Sequence, residues 1–365
     1  MKLNDERIIM TLDAGGTNFV FSAIQNYEII TPLVTLPAYS SDLDACLAQI
    51  VEGFRTIESM IAEVPVAISF AFPGPADYEN GIIGDLPNFK AFRGGVALGP
   101  YLKDMFNIPV FINNDGKLFA YGEANYGVLP RVNKLLLEHH GHKQYNHLLG
   151  VTLGTGFGAG IVVHNSLVFG DNGCAGDIWN LRNKKYPDLI VEESVSIRAI
   201  THVYQVLSGE DISKLEPKDI FEIAEGIKKG SQVAAIRSFE EFGEMAGDAI
   251  GMMLNAVDGI VVVGGGIASA AKYFMPSLIQ ELKRNIRIRN GAEFQRVQAE
   301  VYNLDDSKDM KLFLGSSAKE IHIPYSKKTV FYDESKKVGV LISTLGANQA
   351  IMCGAYAYAI NQLDK

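Results

Sequence analysis

Apolar positions along this chain group in two ways. Some form short, mostly apolar runs that end within two residues of a glycine, proline or asparagine: Arg7 to Asp13, Val64 to Ala71, Pro109 to Ile112, Leu148 to Leu153 and Gly259 to Val263. Runs of that length and composition predict buried strands. Other apolar positions recur at helical spacing. Leu43, Leu47, Ile50, Phe54, Ile57 and Ile61 form one stripe and predict a helix over 41–63. Asn114-Asp115, a fitting N-cap pair, opens a second helix that runs to about Tyr126, and Gly346 to Leu363 reads as an Ala-rich third. Strands and helices in alternation predict an α/β fold.

Two stretches begin alike. Arg7 to Asp13 leads into Ala14-Gly15-Gly16-Thr17 and a second strand, Phe19 to Gln25. Leu148 to Leu153 leads into the Gly-rich turn Gly154 to Gly160 and then Ile161 to Val163. Each reads as strand, Gly/Thr turn, strand, and the pair suggests an internal duplication with one hairpin opening each domain. A length of 365 residues agrees, being long for a single core. No low-complexity linker separates the halves, so the domains are expected to be closely hinged. Residues 129–147 read as an exposed insertion rich in His and Lys, and 318–344 as an extra pair of strands.

Net charge changes the picture by exclusion. At −9 the surface is acidic, which argues against a nucleic-acid partner. Cys46, Cys174 and Cys353 are far apart and show no CxxC spacing, so neither a disulfide framework nor a thiolate zinc site is expected. No apolar run is long enough to span a bilayer and no signal peptide precedes the first strand, which implies no membrane partner and a cytoplasmic protein.

Candidate chemistry sits where strands stop. In Asp13-Ala14-Gly15-Gly16-Thr17 the glycines let backbone N–H groups meet phosphate oxygens, and Asp13 can hold Mg²⁺, commonly through water. Gly154, Thr155 and Gly156 form a second such turn, and two matching turns can clamp a nucleotide. Gly264-Gly265-Gly266, after a strand and before a helix, lets a purine ring approach the backbone; a packing turn is the equal alternative. The P-loop pattern is absent. Asp115, at a strand end, reads both as part of a helix cap and as a base for a hydroxyl attacking a γ-phosphate. Asp177, Asn180 and Glu192 can bind hydroxyls or be ordinary surface groups. His139, His140, His142 and His147 lack an evident carboxylate partner, so no metal is expected there.

In this order, these parts resemble the ROK family of sugar kinases, within the hexokinase–actin–Hsp70 superfamily, over nearly the whole chain. The resemblance rests on Asp13 to Thr17; on Phe72-Pro73-Gly74-Pro75 with Asp77, Gly81 and Pro87-Asn88; on Asn113-Asn114-Asp115 with Ala120 and Glu123; on Leu153 to Gly158; on Val263 to Gly266; and on Leu345 to Ala355. It implies two actin-like (ribonuclease H-like) domains with a cleft between them: residues 1–116 plus 346–365, closed by the last helix, and residues 117–345. It implies phosphorylation of a hexose or hexosamine by ATP with Mg²⁺, Asp115 as general base, a sugar site including Gly74, Asn88, Asn114, Asp177 and Glu192, and a homodimer. Two departures stand out. The family often reads Glu-Ile-Gly-His where this chain has Asp177-Ile178-Trp179-Asn180, which changes how sugar hydroxyls are held and adds bulk or a stacking surface. Relatives also often carry a Cys-rich zinc loop before the glutamate that matches Glu192, whereas Leu181 to Ile190 holds no Cys or His, so no zinc is expected.

Three rivals bear weighing. A repressor needs a DNA-binding module ahead of the first phosphate strand, for which the residues before Arg7 leave no room. An actin- or chaperone-like ATPase has no use for Asn88 and Asn114-Asp115, which suit a small hydroxylated ligand. A sugar-binding sensor with a weak or inactive site is supported by the altered 177–180 segment and opposed by Asp115 and both phosphate turns.

Overall fold

A computed structural model of the chain describes residues 5–86, 89–139, 143–211 and 215–365. Its contacts define two units. One comprises the residues up to Gly127 with Ser166–Gly176 and Leu345–Lys365; the other comprises Val128–Asn165 and Asp177–Thr344.

In the first unit, β1 (Ile9–Ala14) and β2 (Asn18–Gln25) form an antiparallel hairpin with Asp13 opposite Val20. Helix α1 (Leu43–Met60) starts at Asp42, whose carboxylate accepts the Ala45 N–H at 3.1 Å. Its stripe of Cys46, Ile50, Phe54 and Ile57 is buried. β3 (Ala67–Ala71) and β4 (Val110–Asn113) continue the sheet in parallel, Asp13 pairing with Ala71 and Ala71 with Asn113. That register brings Asp13, the Phe72 to Pro75 turn and Asn114-Asp115 to the carboxyl ends of three adjacent parallel strands, where open α/β sheets carry ligands. Helix α2 (Asp115–Asn125) leaves from this edge. Behind it lies an aromatic core in which Phe21 meets Phe54 edge-on at 5.2 Å and Phe72 meets Phe89 at 5.3 Å.

The second unit opens with α3 (Val128–Glu138), then β5 (Leu148–Leu153) and β6 (Phe157–Val163), again an antiparallel hairpin. Helix α4 (Gln232–Val257) precedes β7 (Ile260–Gly264), and α5 (Ala271–Leu282) follows it. β8 (Glu300–Asn303), a small hairpin of β9 (Lys319–His322) and β10 (Thr329–Tyr332), and β11 (Lys337–Ile342) complete it. The sheet runs β6-β5-β7-β11-β8, with β7 parallel to both β5 and β11. The sheet of each unit thus begins in sequence with an antiparallel hairpin whose first strand is continued by parallel strands, the arrangement that a duplication predicts.

The chain then returns to the first unit as α6 (Ala347–Leu363), which packs along α2. The contact needs glycine on both sides. A Cβ on Gly122 would collide with the Ala350 carbonyl, and one on Gly354 with the Leu118 carbonyl.

Three boundaries read from the sequence move. The first unit runs to Gly127 rather than 116 and includes Ser166–Gly176, because α2 packs on α6 and belongs with it. Residues 129–147 are not an exposed irregular insertion: α3 occupies most of them and buries Leu129, Val132 and Leu136. His140 and His142 lie outside the described residues. In 318–344, β9 and β10 are the extra strands, but β11 is a sheet strand with Val338, Val340 and Leu341 buried.

The cysteines differ in access. Cys46 and Cys353 are buried, and burial pushes both thiols up to about 12; Cys174 is exposed. A thiol-specific reagent at pH 8 is expected to modify Cys174 alone in the native protein and all three in denaturant, since reactivity follows the thiolate. Mapping the modified peptides by mass spectrometry checks this. Rapid native labelling of Cys353 would show that α6 opens.

Candidate functional site

In the first unit the glycine turn after Asp13 and the Asn114-Asp115 segment sit at one sheet edge. Asp13 is exposed at the strand end, yet the protein around it partly desolvates its carboxyl and lifts it above its ordinary range, and the nearby charge of Asp115 lifts it further. Two carboxylates that repel each other suit a divalent cation. Mg²⁺ commonly takes only one or two protein carboxylates, the remaining positions going to water and phosphate. Asp13, with Asp115 left free beside it, therefore fits the ion, although no cluster of three or more His, Cys, Asp or Glu that could hold a metal occurs among the described residues. Asp115 is exposed, and its Oδ1 accepts the Gly116 N–H at 2.8 Å. Asn114 caps the helix, its Oδ1 accepting from Lys117 N–H at 3.3 Å.

The glycines sort into two groups. A Cβ on Gly15 would stand 2.8 Å from the Asn18 carbonyl, and one on Gly156 would stand 2.8 Å from the Glu192 carboxylate. Gly265 has φ +94° and would drive a Cβ into Leu153. At Gly156 the obstacle is the end of the Glu192 side chain, which can shift; Gly15 and Gly265 face backbone and are required by the fold. Gly16, Gly154 and Gly266 are not: none has a left-handed φ, and a Cβ on each would meet open space. Their smallness leaves the backbone N–H groups open to approach, as a phosphate cradle needs. Thr17 and Thr155 are exposed on their turns.

In the second unit, Gly264 pairs with Thr152, so the Gly154 to Gly156 and Gly264 to Gly266 turns leave one sheet edge together. Glu192 reaches the first of them. Its Oε2 accepts the Phe157 N–H at 3.0 Å, and its Oε1 lies 3.3 Å from Arg198 Nη2. Arg198 also pairs with Glu193 at 3.0 Å and donates to the Thr155 carbonyl at 3.4 Å. Asp177 and Asn180 are exposed, on the 3₁₀ turn Ile178–Asn180. The Leu181 to Ile190 loop is held by ion pairs: Lys184 to Glu244 at 2.8 Å and to buried Glu281 at 2.9 Å, and Lys185 to Glu241 at 2.7 Å.

On the Phe72 to Pro75 turn of the first unit, Gly74 is exposed beside Tyr78, whose hydroxyl donates to the Phe72 carbonyl at 2.9 Å. Asn88 lies outside the described residues. Three cations near these groups escape the sequence reading. Arg93 donates to the carbonyls of Leu86 at 2.9 Å and Phe92 at 2.6 Å. Lys117 is buried, donates to the Gly173 carbonyl and lies 5.5 Å over the Phe169 ring. Arg198 is the third. Their partners are backbone carbonyls and side chains set by the fold, and no local sequence signal marks them.

Residues 9–307 match the ROK family. A crystal structure described as glucokinase from Parabacteroides distasonis superposes with a TM-score of 0.91 at 56% identity, over 99% of each chain. A glucokinase of Thermotoga maritima is 23% identical over 74% of this chain and 89% of its own length. A xylose repressor of Caldicellulosiruptor bescii is 26% identical over 73% of this chain, which spans 66% of that protein.

Proposed function

We propose, on the premise that this chain belongs to the ROK family, that it is an ATP-dependent kinase of a hexose or hexosamine, with glucose the first candidate. The observation that carries the reading is the register of β1, β3 and β4, which gathers Asp13 and Asp115 at one sheet edge. The full-length likeness to a protein described as glucokinase supports it.

In this reading Asp115 takes the proton of a sugar hydroxyl as its oxygen attacks the γ-phosphorus. The new O–P bond forms, the bond from the γ-phosphorus to the bridging oxygen breaks, and ADP leaves. Asn88, Asn114, Asp177, Asn180 and Glu192 are the proposed sugar contacts, together with the Gly74 turn. Gly15, Gly16, Thr17, Gly154, Thr155 and Gly156 receive phosphates, and Gly264, Gly265 and Gly266 face the adenosine. Asp13 would hold Mg²⁺, commonly through water; when bound, the ion offsets phosphate charge. Glu192 and Arg198 brace the second phosphate turn. Zinc has no part in the reaction, and we place the protein in the cytoplasm as a homodimer.

A coupled assay of ADP release with Mg²⁺, run over glucose, mannose, fructose, allose, N-acetylglucosamine and N-acetylmannosamine, tests this. Sugar-stimulated ADP release is expected, with glucose among the active sugars. Silence across the panel from folded, ATP-binding protein would favour the second reading, a sugar-binding sensor, to which the altered 177–180 segment points.

A further inference from the structure

The chain has a single tryptophan, Trp179, and it is 40% exposed. It occupies the middle of the 3₁₀ turn Ile178–Asn180, with Asp177 at the N-cap. Three residues per turn place Asp177 and Asn180 one above the other, Trp179 on the next face and Ile178 on the third. Ile178 is fully buried in the second unit's core with Val191 and Val195. The turn is pinned behind it: Leu181 N–H donates to the Ile178 carbonyl at 3.1 Å, and Val191 N–H to the Leu181 carbonyl at 2.8 Å. Trp179 cannot turn inward without pulling Ile178 out.

The flanking side chains sharpen the point. Asp177 and Asn180 are both exposed, and neither side chain has a hydrogen bond or ion pair among the described residues. An indole 40% exposed, with a carboxylate and an amide free beside it, suits a ligand with an apolar face and a polar rim. A pyranose is such a ligand, with C–H groups on its face and hydroxyls around its edge.

We infer that Trp179 is a specificity-determining residue on which a pyranose stacks its C–H face while Asp177 and Asn180 take hydroxyls at its rim. The identity of the ligand rests on the sugar-kinase reading; the platform itself rests on the geometry of the turn. An open-chain polyol, which lacks the ring face, gains nothing from it.

With one tryptophan in the chain, its emission reports this turn alone. Titrating the wild-type protein with glucose and N-acetylglucosamine is expected to give a saturable change in emission for at least one of them, and none with sorbitol or with ATP alone. Trp179→Ala is expected to raise the sugar KM about 10-fold, as loss of an aromatic contact would, with the KM for ATP unchanged and Trp179→Tyr restoring most of the loss. Thermal melts of both variants should match wild type. Emission indifferent to saturating sugar, a response to ATP alone, or an unchanged sugar KM in Trp179→Ala would overturn the inference while leaving sugar-stimulated ADP release intact. A saturable sugar response without any ADP release would support the platform and sink the kinase reading instead.

Discussion

Asp115→Asn is expected to lower the turnover number at saturating sugar and Mg²⁺–ATP by at least ~10²-fold, the cost of losing the proposed general base, and to leave ATP binding near its wild-type strength. The substitution is nearly isosteric. Its Oδ1 can still accept the Gly116 N–H now held at 2.8 Å, so the start of α2 is kept. The amide cannot take a proton, and it carries no charge. The same change acts on Asp13, whose carboxyl is raised by partial desolvation and then by the Asp115 charge. Native Asp13 holds its proton more tightly than the unfolded chain does. Stability is therefore lost as pH rises from the ordinary carboxylate value of about 4 toward the raised native one. Removing the Asp115 charge narrows that window, so the variant should melt no lower than wild type at neutral pH. Turnover and melting temperature measured side by side decide the matter. Near-full turnover would remove Asp115 from the role of base, and a large fall in melting temperature would assign the lost activity to the fold.

Gly354→Ala is expected to cost about 3 kcal/mol or more, because the colliding atom is a backbone carbonyl in a neighbouring helix and has no rotamer to escape into. α2 and α6 must separate for the methyl to enter, and the first residue of α2 is Asp115. A fall in melting temperature on the order of 10 °C follows, with loss of activity greater than the loss of folded protein. Gly16→Ala is the contrast. Its Cβ meets open space, so it should melt like wild type while its KM for ATP rises. If Gly354→Ala melts with wild type, the close approach of the two helices is wrong.

Much of the fold was legible because strands inside a parallel sheet are apolar without interruption and stop sharply. Ile260 to Val263 and Val110 to Ile112 show this, and the residues at those stops belong to the candidate site. Part of what the sequence hid depends on contacts made across long distances, such as Lys117 to the Gly173 carbonyl and Arg198 to the Thr155 carbonyl. Arg93 meets the nearby carbonyls of Leu86 and Phe92, but only the folded turn brings them onto its guanidinium. Ser166–Gly176 gives no sign of belonging with the first unit. The misreading of 129–147 was avoidable: Val128, Leu129, Val132 and Leu136 are spaced as one helical face, but the histidines and lysines that follow drew attention away. In Asp177-Ile178-Trp179-Asn180 the departure from the family pattern was visible, while the pinning of Ile178 that fixes Trp179 outward was not.

The glycine contact between α2 and α6 also orders events during synthesis. α2 carries the proposed base, yet the surface it packs against is made more than two hundred residues later. Until α6 has left the ribosome, the Gly122 face of α2 has no partner, while the second unit can already be complete. The first unit therefore closes last, across the largest sequence separations in the chain, which makes its folding slow and its half-made state prone to self-association.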